Sequence, residues 1–210
     1  MDAEVGLREL KKQMTREAIA NAALKLTVER GIGTVTVEEI AREAFVSPRT
    51  FSNYFPSKED AVLAAGTAGV MEVLDQFSAD NGEEPPLQLL CRLVSDYAGA
   101  HPDHLRHMAQ LIELEADNPS LKPVRAARQA EFEDLLRERV ASRVGIDDET
   151  DLYPALVASA AVSAIMTALI LWTRSDLPET RLRDMLEDAF NIVTAGYPHR
   201  HATDARTAPV

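Results

Sequence analysis

Between Thr36 and Lys58 the chain carries three helix-start signals in 23 residues, a density that leaves room only for short helices. The segment reads TVEEIAREAFVSPRTFSNYFPSK. Thr36 with Glu39 three residues on is a capping box, in which each side chain satisfies a free backbone N–H of the other's end of the turn. Ser47 followed by Pro48 is a cap with a first-turn proline, whose missing N–H and fixed φ suit that position. Ser57 with Asp60 opens the next helix. Only Phe45, Val46 and Ser47 separate the first two of these helices, which is the spacing of a helix-turn-helix.

The apolar positions say which side of the third helix is held. Val46, Phe51 and Phe55 are expected to point inward and pin it against its neighbours. The opposite side then presents Arg49, Thr50, Ser52 and Asn53. Short polar side chains with both donors and acceptors suit the edges of bases in a DNA groove: Arg pairs with guanine, Asn with adenine, Ser and Thr with either or with phosphate. Tyr54 and Lys58 fall at the rim, where a hydroxyl and an ammonium would hold phosphates, and the helix starts at Thr36 and Ser47 would do the same.

The net charge of −12 fits a DNA partner only once it is divided along the chain. Residues 1–58 hold nine Lys/Arg against eight Asp/Glu, while residues 59–210 hold thirteen against twenty-six. A polyanion is therefore tolerated at the first part and repelled by the second.

Elsewhere helical periodicity dominates. A first helix spans about 10–30, with Ile19, Ala22, Ala23 and Leu26 on one stripe and Gly31 as its left-handed stop. The helix opened at Ser57 is expected to continue to about Phe77, with Gly66 and Gly69 inside it as a weak point and candidate hinge. Asn81-Gly82 and Pro85-Pro86 break the chain. Further helices are expected near 86–100, 103–116, 121–144, 152–174 and 179–196. The fold class is therefore all-α, with a three-helix helix-turn-helix domain over 1–58, a bridging helix over 58–79 and a helical effector-binding and dimerisation bundle over 80–197, about nine helices in all. Residues 198–210 are polar and unpatterned and are expected to be disordered.

The 22 residues from Leu152 to Thr173 carry no charge, enough to span a bilayer. Asp151 and Arg174 flank them, Pro154 sits in the first turn and the composition is rich in Ala and Ser. A helix apolar all round is also what a bundle centre and a subunit interface require, and no membrane partner is expected. With the apolar face Leu182, Met185, Leu186, Ala189, Phe190 and Val193 of the last helix, it predicts a homodimer through the last two helices of each chain.

The run AIANAALKLTVERG followed by TVTVEEIAREAFVSPRTFSNYFPSKEDAV resembles the DNA-binding domain of TetR-family regulators, over roughly residues 11–64. The resemblance implies contacts to DNA from Thr36, Ser47, Arg49, Thr50, Ser52, Asn53, Tyr54 and Lys58, a dimer that reads a palindromic operator, and a repressor of cytoplasmic location released by a small effector. Two positions depart from the family pattern. Thr27 stands where a core Phe is common, and Phe45 stands in the turn where Gly, Asp or Asn is usual. Phe45 either takes a positive φ, at a strain of about 1 kcal/mol or more, or packs instead into the space left by the small Thr27. The stretches LIELEADNPSLKPVRAARQAEFEDLLRERVASRVGID and DLYPALVASAAVSAIMTALILWTRS are similar to a subgroup described as binding acyl-CoA-like ligands, which implies an elongated apolar pocket. The candidate lining is Leu93, Tyr97, Met108, Ile112, Phe132, Leu135, Met166 and Trp172, for each of which plain core packing is the stronger reading, and the scarcity of basic charge favours a neutral or apolar effector.

Cys91 is the single cysteine and is read as a small buried hydrophobe, so the fold needs no oxidising compartment. The polar, acidic start has no secretion-signal pattern. Of His101, His104 and His107, the last two are three apart and share a helical face, but with no Cys or paired acidic cluster, and only Asp103 nearby, they do not make a metal site, and His199 and His201 belong to the tail. No metal or cofactor is expected. With no phosphate loop or nucleophile elbow, catalysis has no visible machinery. The alternative of an all-helical small-molecule-binding protein or enzyme without DNA function would be marked by turnover, and that of a membrane-tethered regulator by cell fractionation.

Overall fold

The computed structural model describes residues 2–147, 149–175 and 177–196, and among them there are helices and turns but no strand. Ten helices follow one another: α1 (Asp2–Arg30), α2 (Val37–Glu43), α3 (Pro48–Tyr54), α4 (Lys58–Ala64), α5 (Ala68–Ala79), α6 (Pro86–Ala100), α7 (Pro102–Asp117), α8 (Leu121–Val144), α9 (Leu152–Arg174) and α10 (Glu179–Thr194). The expected tail and its two histidines lie outside the described residues.

The first core forms where α1 lays Ile19, Ala23, Leu24 and Leu26 against Ile40 and Ala41 of α2, Phe51 of α3, Phe55 and Val62. The Phe51 and Phe55 rings lie 6.0 Å apart and tilted, one above the other on the buried side of α3. Leu111 and Leu121, from the far half of the chain, belong to this same core. The first domain is thus completed from outside residues 1–58, which sequence spacing gave no means of seeing. Arg128 of α8 ties the same junction, donating from Nη2 to the Asp60 carbonyl at 2.8 Å and to its carboxylate at 3.2 Å.

The expected long fourth helix is two helices. After Ala64 the amides of Ala65, Gly66 and Thr67 bond three residues back, to Val62, Leu63 and Ala64, and the chain restarts at Ala68. Tertiary contact accounts for the glycines on either side of this break. A β-carbon at Gly66 would sit 2.6 Å from Leu111 Cδ1, and one at Gly69 would run into the Tyr97 ring. Both glycines let α6 and α7 press against the junction, a use that helix propensity does not register.

The second half packs α9 between α8 and α10, with α6 against α10. Two further cores fill it, one around Leu74, Phe77, Leu89, Leu136, Val140, Ala161 and Phe190, the other around Leu105, Leu169, Trp172, Leu182 and Leu186. Arg143 staples the α5–α6 turn to α8: its guanidinium donates to the carbonyls of Asp80 (2.6 Å) and Gly82 (2.8 Å) and to the Asp80 carboxylate (2.9 Å). Cys91 is only half-buried, at the edge of the second core rather than within it.

Of the two alternatives for Phe45, the structure takes the strained one. Its backbone is left-handed, at φ 55°, and its ring is 97% exposed. The left-handed turn aims the β-carbon away from α1, so the ring does not fill the space beside Thr27. Thr27 is itself buried, and its Oγ1 has no hydrogen-bond partner.

Candidate nucleic-acid interface and effector region

The ends of α2 and α3 close as their sequences require. Thr36 Oγ1 accepts from the Glu39 amide at 3.2 Å, and the Glu39 carboxylate accepts from the Thr36 amide at 2.9 Å. Arg30 also donates to Glu39, at 2.9 Å. The Thr36 amide and, after it, Arg30 hold the Glu39 carboxyl below its ordinary range. Ser47 Oγ accepts from the Thr50 amide at 3.0 Å and lies 2.8 Å from Thr50 Oγ1.

These caps orient one face outward. Arg49, Ser52 and Asn53 are exposed on α3, with Thr50 partly so, while Phe51 beneath them is buried. Ser52 Oγ donates back to the Pro48 carbonyl at 3.2 Å. Tyr54 is half-buried, packs its ring against the first core and accepts from Arg16 Nη1 at its carbonyl, 3.2 Å away. Arg16 lies over the Phe55 ring, 4.6 Å from its centroid, and burial together with nearby Arg128 lowers its pKa. Of the expected DNA residues, Thr36, Ser47, Arg49, Ser52 and Asn53 are exposed and Thr50 and Tyr54 are partly so.

Lys58 stands apart. Its ammonium is turned inward, donating to the carbonyls of Ile32 (2.6 Å) and Val35 (2.9 Å) in the α1–α2 turn. The expected phosphate contact is replaced in this conformation by a structural one. The partners are 26 and 23 residues back, too far for a spacing argument to find.

Six of the eight expected effector residues are divided between two cores. Leu93 is buried in the second core, with Phe132 and Tyr97 packed against it, while Trp172 belongs to the third core with Met108 and Ile112 against it. Met166 is half-buried. Leu135 is 36% exposed, and it is the adjacent Leu136, fully buried, that points inward, because one residue turns a helix by about 100°. The Trp172 indole donates to the Pro178 carbonyl at 3.2 Å, the usual resolution for a buried indole N–H and a brace for the α9–α10 turn. Burial pushes the Tyr97 phenol up to about 12, and its hydroxyl is hydrogen-bonded to His104 Nδ1. His101 stacks on the same ring at 4.1 Å. His107, the third histidine of this face, is lowered in pKa by burial and by His104. Among the described residues no group of three or more His, Cys, Asp or Glu is placed to hold a metal ion.

Residues 19–65 match the family model described as bacterial regulatory proteins, tetR family, and residues 84–198 match that of the MftR C-terminal domain. The HTH-type transcriptional regulator TcmR of Streptomyces glaucescens is 31% identical over 161 residues, 73% of this chain and 71% of that protein. The putative mycofactocin biosynthesis transcriptional regulator MftR of Mycobacterium tuberculosis is 25% identical over 198 residues, 93% of this chain and 96% of that one. Among solved structures, Thermus thermophilus FadR, a TetR-family transcriptional repressor in complex with lauroyl-CoA, aligns with a TM-score of 0.55 at 26% identity, covering 93% of this chain and 99% of that one. The fatty acid degradation regulator FadR of Bacillus halodurans shares the fold, with a TM-score of 0.57 at 20% identity over 89% of this chain and 97% of its own.

Proposed function

Since the chain belongs to the TetR family of DNA-binding transcriptional regulators, proteins that are not enzymes and that bind operator DNA and small ligands, typically as dimers, we propose that it is a cytoplasmic repressor that binds a palindromic operator as a homodimer and is released by a small apolar effector. The observation that carries the reading is the polar face of α3, held outward over buried Phe51 and Phe55. In this reading Arg49, Thr50, Ser52 and Asn53 meet base edges, and Thr36, Ser47 and Tyr54 meet phosphates. Lys58 serves the interface indirectly, by fixing the turn that leads into α2.

Two half-sites about one helical turn of DNA apart need two copies of α3 at fixed separation. The surface of α9 supports the dimer. It is long and apolar enough to cross a membrane, yet only 44% of its most apolar stretch is buried within one chain. Leu152, Leu156 and Leu171 are 77%, 65% and 49% exposed on it, an apolar area that a second copy would cover. For the effector, the lauroyl-CoA bound by the Thermus protein supports a ligand with an apolar chain, taken up among α6, α7, α8 and α9. Such a ligand releases DNA only if it favours the conformation that does not fit the operator.

The test is duplex selection from a random pool with the full-length protein, followed by anisotropy titrations at moderate salt. A palindromic consensus bound far more tightly than random duplex is expected, with a sedimenting species of two chains. Strictly monomeric protein, or equal affinity for all duplexes, would overturn the proposal. Mass spectrometry of small molecules that copurify with the protein identifies the effector class.

A further inference from the structure

Two backbone hydrogen bonds build the turn between α2 and α3. The Val46 amide donates to the Ala41 carbonyl at 2.8 Å and the Phe45 amide to the Arg42 carbonyl at 3.1 Å, the pattern of a Schellman helix end. That pattern sets a left-handed residue at Phe45. Its usual apolar contact is supplied by Val46, which packs against the core that holds Ile40 and Ala41. The turn thus asks for a particular φ at Phe45 and for no side chain there. Glycine meets the demand freely, whereas a residue with a β-carbon costs about 1–2 kcal/mol more.

Among the described residues Phe45 is the one non-glycine with a left-handed φ, and its ring is 97% exposed. A lone exposed aromatic needs no explanation, but here backbone strain is carried with no burial to offset it. The ring's place supplies the reason. Phe45 is two residues before Ser47, no more than about 7 Å along the chain, and Pro48 and Arg49 at the start of α3 are exposed as well. The ring is turned away from α1. The polar face of α3 is likewise opposite Phe51 and Phe55, which share a core with α1. Arg49, Ser52 and Asn53 offer hydrogen bonds to base edges, and none of them offers an apolar surface. The 5-methyl group of thymine projects into the major groove, and a Phe ring is a surface that suits it.

We propose that Phe45 is a specificity-determining residue, whose ring packs on the 5-methyl group of a thymine in each half-site, next to the bases met by the start of α3. The proposal rests on the operator-binding reading above and adds to it a position at which thymine is preferred. The strained turn holds the ring outward before DNA arrives, so the contact needs no rearrangement of α2 or α3.

Duplex selection with the wild-type protein comes first: absence of any preferred palindrome sinks the operator reading itself, and this contact with it. On the selected duplex each thymine is then replaced in turn by uracil, which pairs identically and lacks only the methyl group, and affinities are read by anisotropy. For the wild-type protein one position per half-site is expected to weaken binding about four-fold when changed, and about 15-fold when changed in both, the share of a buried methyl group at each. Phe45→Gly is expected to bind the thymine duplex about as weakly as the wild-type protein binds the doubly changed one, and to be indifferent to uracil at that position. Its melting temperature should match or exceed that of the wild type, because the turn is relieved of strain. Phe45→Asn, a second residue that tolerates left-handed backbone, should behave in the same way. Unchanged affinity in Phe45→Gly, no uracil-sensitive position in the wild type, or a uracil effect that persists in Phe45→Gly would each overturn the proposal while leaving the operator reading in place. A Phe45→Gly protein that sediments without DNA as a smaller assembly than the wild type would assign the ring to a contact between chains and overturn it too.

Discussion

In the first half of the molecule, α2, α3 and α4 are each begun by a side chain that bonds its own helix: Thr36, Ser47 and Ser57. In the second half, α5, α6, α7, α8 and α10 have no such cap, and only α9 is started by a side chain, Asp151. Short helices gain too little from packing to define their own ends, so the cap residues fix where α3 starts and which way it faces. Long helices are fixed by the surfaces they bury, and their ends matter less. The first arrangement yields a polar face held outward by its caps. The second yields apolar surfaces that pack on one another, with the helix ends left to the loops between them.

The two halves nevertheless share a core, and the sharpest way to break the comparison is to ask whether the first stands alone. Phe51→Ala and Leu121→Ala each truncate a fully buried side chain of the same cluster, one from each half. Losses of about 3–5 kcal/mol for the first and 2–5 kcal/mol for the second are expected in urea unfolding. Both variants should shift one common transition. If Leu121→Ala leaves the unfolding of α1–α4 untouched, the reading half is autonomous and the contrast drawn above is too weak.

A smaller effect separates positioning from contact at Lys58. Lys58→Met removes the donor shared by the Ile32 and Val35 carbonyls and is expected to lower stability by about 1–3 kcal/mol. The salt dependence of DNA binding should hardly change, because no phosphate contact is lost. If instead stability is kept and the slope of log affinity against log salt falls by about 1, the ammonium swings out to phosphate on DNA. Smaller again, Thr27→Val replaces a buried unpartnered hydroxyl by a methyl of the same shape and should raise stability by about 1 kcal/mol.

What the sequence disclosed follows the same division. Caps, the α2–α3 turn and the inward Phe51 and Phe55 are set by neighbours within four residues, and all were readable. Lys58 was assigned to phosphate because its carbonyl partners are distant in sequence. The break after Ala64 escaped because the collisions of Gly66 and Gly69 are with Leu111 and Tyr97, residues of other helices. On α8 two adjacent leucines, Leu135 and Leu136, offer period alone no way to choose which one faces inward. Phe45 was left between a strained backbone and a place beside Thr27, and a left-handed backbone with the side chain turned to solvent is what the structure has.

The smallest expected effect tests the local side of the comparison, through pH. Glu39 holds both the Thr36 amide and Arg30, and its pKa is depressed in the folded chain. A carboxylate with a lowered folded pKa binds fewer protons folded than unfolded, so its contribution is complete above the unfolded value and is lost as pH falls through the folded one. Glu39→Gln keeps a group able to accept from the Thr36 amide but removes the charge that pairs with Arg30. Urea midpoints of the two proteins should therefore differ at neutral pH and converge under strongly acidic conditions. Added salt should narrow the neutral-pH gap, since the Arg30–Glu39 pair is partly exposed. A gap that persists unchanged into acid would mean that Glu39 acts through shape and hydrogen bonding alone, and that the cap on α2 owes nothing to charge.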